Sequence, residues 1–265
     1  MQYICSVIIP FYKYQGTGND FVIVDNRKRV FPSSNQALIQ SICDRRFGVG
    51  SDGLILLENH EEADFMMNYY NADGQQGSFC GNGGRCVVAL AHHLEIINNK
   101  TLFAAFDGLH HGSIIDNIVS LSMSDVKNVK LHPKHVFLDT GSPHHIEFVD
   151  DTDAVDVQER GRVIAHHVDY GDEGTNVNFV SIGQGSSISV RTFERGVENE
   201  TLSCGTGVTA AAIAAFATRK VSNSKIDVTT LGGELTVSFV LEKKLYRDVV
   251  LTGPTQLVFS GTLNI

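Results

Sequence analysis

The sequence predicts an α/β fold of the α+β kind, built from two duplicated halves in which a strongly curved sheet wraps one central helix. Two short segments carry this prediction, FCGNGG at residues 79–84 and SCGTG at residues 203–207, because each places a cysteine at a glycine-rich turn before an apolar stretch. The second stretch is apolar on every side and too short to cross a membrane, so it must be buried inside a sheet.

Other short motifs recur in the same order at nearly one spacing, which indicates an internal duplication. TGN at 17–19 recurs 123 positions later as TGS at 140–142, and NADG at 71–74 corresponds to ERGV at 194–197 at the same offset. GSDGLI at 50–55 aligns with GTNVNF at 174–179 at an offset of 124, which is also the separation of Cys80 and Cys204. We therefore expect one thiol in each half, with residues 1–124 and 125–253 as the two domains.

The strands are expected to be short and rich in Val, Ile, Phe and Tyr, with Gly, Asn or Asp turns between them. The apolar opening, residues 1–11, is interpreted as a first strand with extra residues before it. The further predicted strands are 21–25, 53–57, 65–70, 118–123, 136–139, 146–149, 178–182, 188–192, 233–240 and 249–251. Helices are predicted at 36–43, 84–94 and 208–217.

Composition favours a globular protein that acts on a small ligand. The chain has 265 residues, 42% of them hydrophobic and 19% charged, and a formal net charge of −9 without a run of Lys or Arg. This charge argues against a nucleic-acid or anionic-membrane partner. Five cysteines without CxxC spacing disfavour a disulfide framework or a zinc site, and no secretion signal is visible, so a cytoplasmic location is expected.

Cys80 and Cys204 are the candidate catalytic residues. A thiol at a helix start lies near the partial positive charge of the helix, which favours thiolate, and its ordinary pKa of about 8.5 is close to neutrality. Two thiolates in one small site would repel, which favours one thiolate and one thiol. Such a pair can remove an α-proton from one face of an amino acid and return a proton to the other. Cys5, Cys43 and Cys86 are interpreted as small buried residues.

Polar residues at the duplicated motifs are candidate ligands of a substrate with two zwitterionic ends. Arg195 is suited to bidentate carboxylate capture, while Glu194 could meet an ammonium group or tune the thiols. His144 is equally compatible with a solvated turn and with a role in the site. The remaining candidates are asparagines beside turn glycines and the N–H groups of the two helix starts, namely Asn19, Asn71, Asn82, Asn176, Gly81, Gly205 and Thr206.

These residues resemble the diaminopimelate epimerase family along nearly the whole chain. The matching motifs are GTGNDF at 16–21, GVGSDG at 48–53, NADG at 71–74, CGNGGRC at 80–86, ERG at 194–196 and CGTG at 204–207. The resemblance implies a cofactor-independent isomerase that interconverts LL- and meso-2,6-diaminopimelate for lysine and peptidoglycan precursors. It also implies two pseudo-symmetric mixed sheets or barrels, a last strand at about 254–265 that returns to the first half, and a homodimer.

By the same resemblance Cys80 and Cys204 are the two acid–base thiols, whose roles exchange with the direction of reaction. Glu194 and His144 match positions that tune thiol pKa values, and the asparagines, the helix starts and Arg195 match substrate contacts. Two positions depart from the family pattern. Ser142 stands where many members have a substrate-binding Asn, and Gly53 where some have Gln.

Two other functions are compatible with paired thiols. A proline or hydroxyproline racemase would use the same two-thiol chemistry on one carboxylate and a ring nitrogen, which leaves Arg195 and the asparagines without a purpose. A redox switch would use Cys80 and Cys204 to form a disulfide without catalysis. Activity on diaminopimelate under reducing conditions separates both from an epimerase, and a lysine-bound pyridoxal phosphate is unnecessary if the thiols react.

Overall fold

The computed structural model describes residues 7–265, which form two compact units. The first unit contains the described residues up to Leu121 together with Pro254–Ile265, and the second contains Ser122–Gly253. Cys5 and the start of the predicted opening strand lie outside the described residues. None of the described helices is long and apolar enough to span a bilayer.

The first unit is a mixed sheet with two helices. Its elements in chain order are β1 Ile8–Gly16, β2 Asn19–Asp25, α1 Gln36–Cys43, β3 Gly53–Glu58, β4 Phe65–Asn71, α2 Gly81–His93, β5 Lys100–Ala105, β6 Gly108–Ile115 and β7 Ile118–Ser122.

The second unit has a similar composition of elements. They are β8 Lys130–Leu131, β9 Val136–Asp139, β10 Pro143–Phe148, α3 Val157–Ala165, a 3-10 turn at Val168–Tyr170, β11 Asn176–Ile182, β12 Ser187–Glu194, β13 Asn199–Thr201, α4 Gly205–Ala217, β14 Lys225–Thr230, β15 Gly233–Glu242 and β16 Leu245–Pro254. The last strand, β17 Gln256–Asn264, pairs antiparallel with β1 and so belongs to the first unit.

The two units share one pattern of strand pairing. In the first unit β1/β2, β3/β4, β5/β6 and β6/β7 are antiparallel, while β2/β3 and β4/β5 are parallel. In the second unit β9/β10, β11/β12, β14/β15 and β15/β16 are antiparallel, while β10/β11 and β12/β14 are parallel. Even the register repeats, since Phe21 pairs with Gly53 and His144 pairs with Asn176.

Each sheet is covered on both faces, which explains the continuous apolar runs in β2, β3 and β11. In the first unit Ile23 and Ile55 pack with α2, whereas Val24 and Leu56 on the opposite face pack with Ile39 of α1. The second unit has the same layers, with α4 in one core and α3 against Phe179 and Phe193 in the other. The curved α/β halves around a central helix that the sequence predicts are therefore confirmed.

Some elements differ from the sequence-based predictions. Both central helices begin earlier than expected, at Gly81 and Gly205, because the glycine-rich turns are themselves the first helical turns. Helix α3 is absent from the predictions, since Gly161 lies in its middle and weakens the helical pattern. That glycine is required by packing, because a Cβ there would lie 2.4 Å from the Cβ of Phe193. Strands β5, β6 and β14 and the short strands β8 and β13 are also absent from the predictions.

Candidate active site

Cys80 and Cys204 occupy equivalent positions in their units, immediately before the first residues of α2 and α4. The backbone of Cys80 has φ −111° and ψ 114°, and that of Cys204 has φ −114° and ψ 112°. Each cysteine carbonyl accepts the first helical hydrogen bond, from Gly84 at 2.7 Å and from Val208 at 2.8 Å. Each thiol therefore lies at the positive end of a helix of 13 residues.

The thiol of Cys80 faces the amide oxygen of Asn19. Cys80 Sγ lies 3.6 Å from Asn19 Oδ1, and Asn82 Nδ2 donates to the same oxygen at 3.2 Å. Asn19 Nδ2 donates to Asp52 Oδ2 at 2.6 Å. Because a carboxylate only accepts hydrogen bonds, Asp52 determines which end of the Asn19 amide faces the thiol.

An ion network supports Asp52 and the turn that carries Asn19. Arg45 bridges Asp52 and Asp20 at 2.7 Å each, and Lys13 lies 2.6 Å from Asp20. Burial disfavours the charge on Asp20, but hydrogen bonds from Arg45 and Lys13 outweigh it and lower its pKa to about 2. The Asp20 carboxylate therefore remains ionised throughout the neutral range.

The thiol of Cys204 has a different partner. Cys204 Sγ lies 3.5 Å from Thr206 Oγ1, a hydroxyl that can donate to a thiolate or accept from a thiol. The carbonyl of Thr206 accepts a hydrogen bond from Thr140 Oγ1 at 2.9 Å. This bond connects the helix start to the turn that contains Ser142, whose carbonyl accepts from the Thr140 N–H at 3.2 Å.

His144 is fully buried below this helix start and is held by Asn178. Asn178 Nδ2 donates to His144 Nδ1 at 3.1 Å, while Asn178 Oδ1 accepts from Thr192 Oγ1 at 2.9 Å. Burial, with a smaller contribution from the charge of Arg195, lowers the pKa of His144 to about 3. The ring is therefore neutral and carries its proton on Nε2, which has no hydrogen-bond partner among residues 7–265.

The strand ends of the second unit bring three more predicted residues together. Asn176 opens β11 and its Oδ1 accepts from the Arg195 N–H at 3.1 Å. Arg195 Nη1 donates to the carbonyl of Glu173 at 2.8 Å, which orients the guanidinium. Glu194 closes β12 and accepts from Thr201 Oγ1 at 2.5 Å. Amide, guanidinium and carboxylate groups thus lie at one end of this sheet.

Sequence comparison assigns this arrangement to a known family. The sequence model described as Diaminopimelate epimerase matches residues 11–110 and 136–258. The chain belongs to the diaminopimelate epimerase family. A protein named diaminopimelate epimerase from Flavobacterium psychrophilum is 54% identical over 256 residues, covering 96% of this chain and 100% of that protein. A protein of the same name from Chlorobaculum tepidum is 42% identical over 94% of this chain and 99% of its own length.

Solved structures show the same fold at low sequence identity. A phenazine biosynthesis protein of the PhzF family from Bacillus anthracis has a TM-score of 0.78 at 15% identity, covering 98% of this chain and 100% of its own. A hydroxyproline epimerase from Agrobacterium vitis has a TM-score of 0.71 at 13% identity, covering 100% of this chain and 94% of its own. At such identities the likeness concerns the fold alone.

Gly53 and Ser142, the two departures that the sequence resemblance implies, have different structural settings. At Gly53 a Cβ would lie 2.5 Å from the Tyr69 ring and from the Tyr70 carbonyl, so the tyrosine occupies the space of a side chain. Ser142 lies half-buried in the turn joined to the start of α4. Asn71, the last residue of β4, pairs with Gly53 and exposes its side chain.

Several residues that support the site were missed by sequence reasoning. Asp52 lies inside the GVGSDG motif, and Asn178 lies inside the duplicated segment that begins at Gly174. Their positions in these motifs could have identified them as candidate site residues. A Cβ on Gly207 would lie 2.4 Å from Asn178 Oδ1, which shows how closely this amide approaches α4. Thr192 gave no sequence signal, because its role depends on strand pairing. Among residues 7–265 no group of three or more His, Cys, Asp or Glu side chains could hold a metal ion.

Proposed function

We propose that this protein interconverts LL- and meso-2,6-diaminopimelate by a two-base mechanism that uses Cys80 and Cys204, in the synthesis of lysine and peptidoglycan precursors. The observation that carries the proposal is the matched pair of thiols, each at the start of a buried helix and each beside its own hydrogen-bonding side chain. Relatives that share most of the chain and are named diaminopimelate epimerase support the choice of substrate.

In the proposed reaction one cysteine acts as a thiolate and the other as a thiol. The thiolate takes the proton from the α-carbon and becomes a thiol, and the electron pair of the broken C–H bond spreads into the α-carboxylate. The second thiol then gives its proton to the opposite face of the same carbon and becomes a thiolate. After one turnover the two cysteines have exchanged protonation states, so the protein is in the form that catalyses the reverse reaction. Proton exchange with solvent restores the starting form before the next forward turnover.

The helix starts supply the electrostatic part of this mechanism. Backbone N–H groups in the first turn of a helix have no intrahelical acceptor, so they can bind an anion. We assign Gly81 and Asn82 of α2, and Gly205 and Thr206 of α4, to the α-carboxylate. Their attraction grows as negative charge moves from the α-carbon onto the carboxylate oxygens, which lowers the barrier to proton removal.

The strand ends of the second unit are assigned to recognition of the substrate. Arg195 would bind the distal carboxylate, since among residues 7–265 its guanidinium uses only Nη1 in hydrogen bonds. Glu194 would accept from an ammonium group, and Asn176 orients the backbone of Arg195. His144 stays neutral in this scheme and donates through Nε2, so it does not act as a cationic acid. Asn19, Asn71 and Ser142 are assigned to further polar contacts.

The test of this function is turnover of LL-diaminopimelate in heavy water under reducing conditions. We expect meso product with deuterium at the inverted α-carbon, because the incoming proton originates from a solvent-exchanged thiol. Proline and trans-4-hydroxyproline are the comparison substrates, since a solved structure with this fold is a hydroxyproline epimerase. Inversion of either of these without inversion of diaminopimelate would overturn the proposal.

Cysteine variants test the mechanism separately from the substrate. Cys80→Ala and Cys204→Ala should each lower turnover by at least about 100-fold, since each removes one acid–base group. Cys43→Ala is the matched control, because Cys43 is buried in the core between α1 and its sheet and is assigned no part in the reaction. Near-normal turnover in either of the first two variants would exclude a two-base mechanism.

We also propose that the enzyme works as a cytoplasmic homodimer with neither a nucleic-acid nor a membrane partner. Strands β1 and β17 support the dimer, because they expose large apolar side chains that a second copy could cover, including Ile8 at 68%, Val258 at 50% and Phe259 at 46%. Size-exclusion chromatography with light scattering should give a mass twice the chain mass of 28.9 kDa. A monomer at micromolar concentration would contradict this.

A further inference from the structure

Arg85 is a fully buried cation next to the reactive end of α2. Its Nη2 donates to Thr17 Oγ1 at 3.1 Å, whereas its Nε and Nη1 have no hydrogen-bond partner among residues 7–265. No carboxylate within the described part of the chain forms an ion pair with it. A buried charge without a counter-ion is strongly disfavoured, so the site needs a nearby anion.

Two thiols, those of Cys86 and Cys80, lie around Arg85. A Cβ on Gly16 would be 3.2 Å from Arg85 Nη2 and 3.3 Å from Cys86 Sγ, and the turn that accepts from Arg85 at Thr17 also contacts Cys80 Sγ at Asn19. Cys86 is fully buried, and burial raises the pKa of its thiol far above the ordinary range, so it remains neutral. Cys80 is partly exposed and lies at the positive end of α2. Of the two sulfurs, only that of Cys80 is placed to ionise and compensate the guanidinium.

The duplication provides an internal comparison. Thr209 is the counterpart of Arg85, at the same distance from Cys204 as Arg85 is from Cys80 along the chain. Thr209 is also fully buried, but it is uncharged and its Oγ1 donates to the Gly205 carbonyl at 2.9 Å. In the second unit the turn equivalent to that of Thr17 is joined to the start of α4 by a neutral hydroxyl, because Thr140 Oγ1 donates to the Thr206 carbonyl. The first unit therefore places a cation where the second places a hydroxyl.

We propose that Arg85 is a positioning residue that acts through its charge as the buried counter-ion of a Cys80 thiolate, so that Cys80 is the base of the resting enzyme. This assignment deepens the proposed two-base function and rests on it for its catalytic meaning. Arg85 itself does not touch the substrate. Its effect is to make the two otherwise similar thiols unequal before substrate binds.

Other groups around this pair bear on the ionisation of Cys80. Asn19 Oδ1 accepts a hydrogen bond from the thiol form and so favours protonation, but the bond is neutral and long at 3.6 Å. His110 lies behind Phe79, with ring centroids 3.9 Å apart. The remaining titratable or charged neighbours are Cys86, Tyr14, Asp20, Asp52, Arg45 and Lys13. The carboxylates among them are already ion-paired with Arg45 or Lys13, whereas Arg85 has no such partner.

The experiment is the pH dependence of iodoacetamide alkylation, measured peptide by peptide with mass spectrometry on the full chain without substrate. In the unaltered protein Cys80 should be alkylated with a midpoint below about 8.5, the value of an unperturbed thiol. A midpoint at or above 8.5 overturns the proposal without the need for any variant. The alkylation midpoint of Cys204 is measured in the same samples for comparison.

Variants then test whether the charge of Arg85 causes the low alkylation midpoint of Cys80. Arg85→Met should raise the Cys80 midpoint by at least about one unit, with the Cys204 midpoint unchanged. Thr17→Val removes the hydrogen bond to Arg85 but keeps its charge, so the midpoint should stay low, and Arg85→Lys should restore part of the shift. Arg27→Met is the control, since it removes an equal charge from a partly exposed ion pair with Asp25.

A purely structural role for Arg85 predicts different results. Thr17→Val would then shift the Cys80 midpoint as far as Arg85→Met does, and either that result or an unchanged midpoint in Arg85→Met overturns the proposal. Because alkylation needs no substrate, failure of the charge assignment is distinguishable from failure of the proposed function. If the protein shows the expected midpoints but does not invert diaminopimelate, the Arg85–Cys80 pair stands and the proposed reaction is wrong.

Discussion

Replacing Asp20 by Asn tests the ion network that holds the Asn19 turn beneath Cys80. The Asp20 side chain is 17% exposed and lies 2.6 Å from Lys13, whose side chain is 7% exposed. Although burial opposes ionisation of Asp20, hydrogen bonds from Arg45 and Lys13 lower its pKa from 3.8 to about 2. A pKa that falls by about 1.8 units on folding stabilises the folded state at neutral pH by about 2 kcal/mol.

Asp20→Asn should therefore lower the free energy of unfolding at pH 7 by at least about 2 kcal/mol, because it also leaves Lys13 buried without its partner. The sign of the pH dependence follows from the lowered pKa. The stabilisation is complete above the unfolded pKa of about 4 and is lost as pH falls towards 2, with about half remaining near pH 3. Protonated Asp20 and Asn are both neutral, so the two proteins should converge in acid.

The measurement is urea unfolding followed by circular dichroism at several pH values between 7 and 3. Asp25→Asn is the matched control, since its pair with Arg27 is 30% and 37% exposed and should contribute less than about 1 kcal/mol. A difference between Asp20→Asn and the unaltered protein that is as large at pH 3 as at pH 7 would refute the reasoning. So would equal stability at pH 7.

Three further predictions concern the second unit. Arg195→Ala should raise KM for diaminopimelate at least about 10-fold with a smaller change in kcat, because it removes binding of the distal carboxylate; unchanged steady-state kinetics would remove Arg195 from the site. Gly207→Ala should lower turnover and thermal stability together, since its Cβ would lie 2.4 Å from Asn178 Oδ1, and a variant as stable and active as the original protein would contradict that packing. Burial lowers the pKa of His144 to about 3, so the neutral ring contributes its full stability above pH 6.5, and this contribution is lost as pH falls from 6.5 towards 3. His144→Gln should therefore make the free energy of unfolding fall less steeply between pH 6.5 and 3. An unaltered dependence of this free energy on pH would count against the buried neutral ring.

Much of the fold could be predicted because the duplication makes the same motifs appear twice in the same order. Neither cysteine motif is informative alone, but the two motifs are separated by the same offset as the other repeated segments, which indicated equivalent helix starts. The apolar residues on every side of α4 predicted a buried helix. Helix α3 was not accessible in this way, since Gly161 lowers helix propensity and is explained only by the close approach of Phe193.

The candidate site was predictable where its chemistry lies in local motifs. The glycine-rich segments that bear the family resemblance predict both thiols and the turn residue Asn19 as site residues, and Asn19 lies beside Cys80 in the structure. Thr192 and Arg85 were not identified, because their partners are 14 and 68 positions away in the sequence. An interior arginine on an apolar helix gives no local indication of whether a carboxylate, a hydroxyl or a sulfur lies opposite it.

The sequence by itself indicated the duplication, the central helices and the position of one cysteine at the start of each, because these depend on residue type, spacing and helix-end electrostatics that act over one or two turns. Tertiary structure alone decided the surroundings that make the thiols different. Packing places a buried Arg85 near Cys80 and a hydroxyl at the matching Thr209, and it excludes water from His144. The physical reason is that burial and long-range hydrogen bonds set the ionisation of a group, and both arise only when distant segments are folded together.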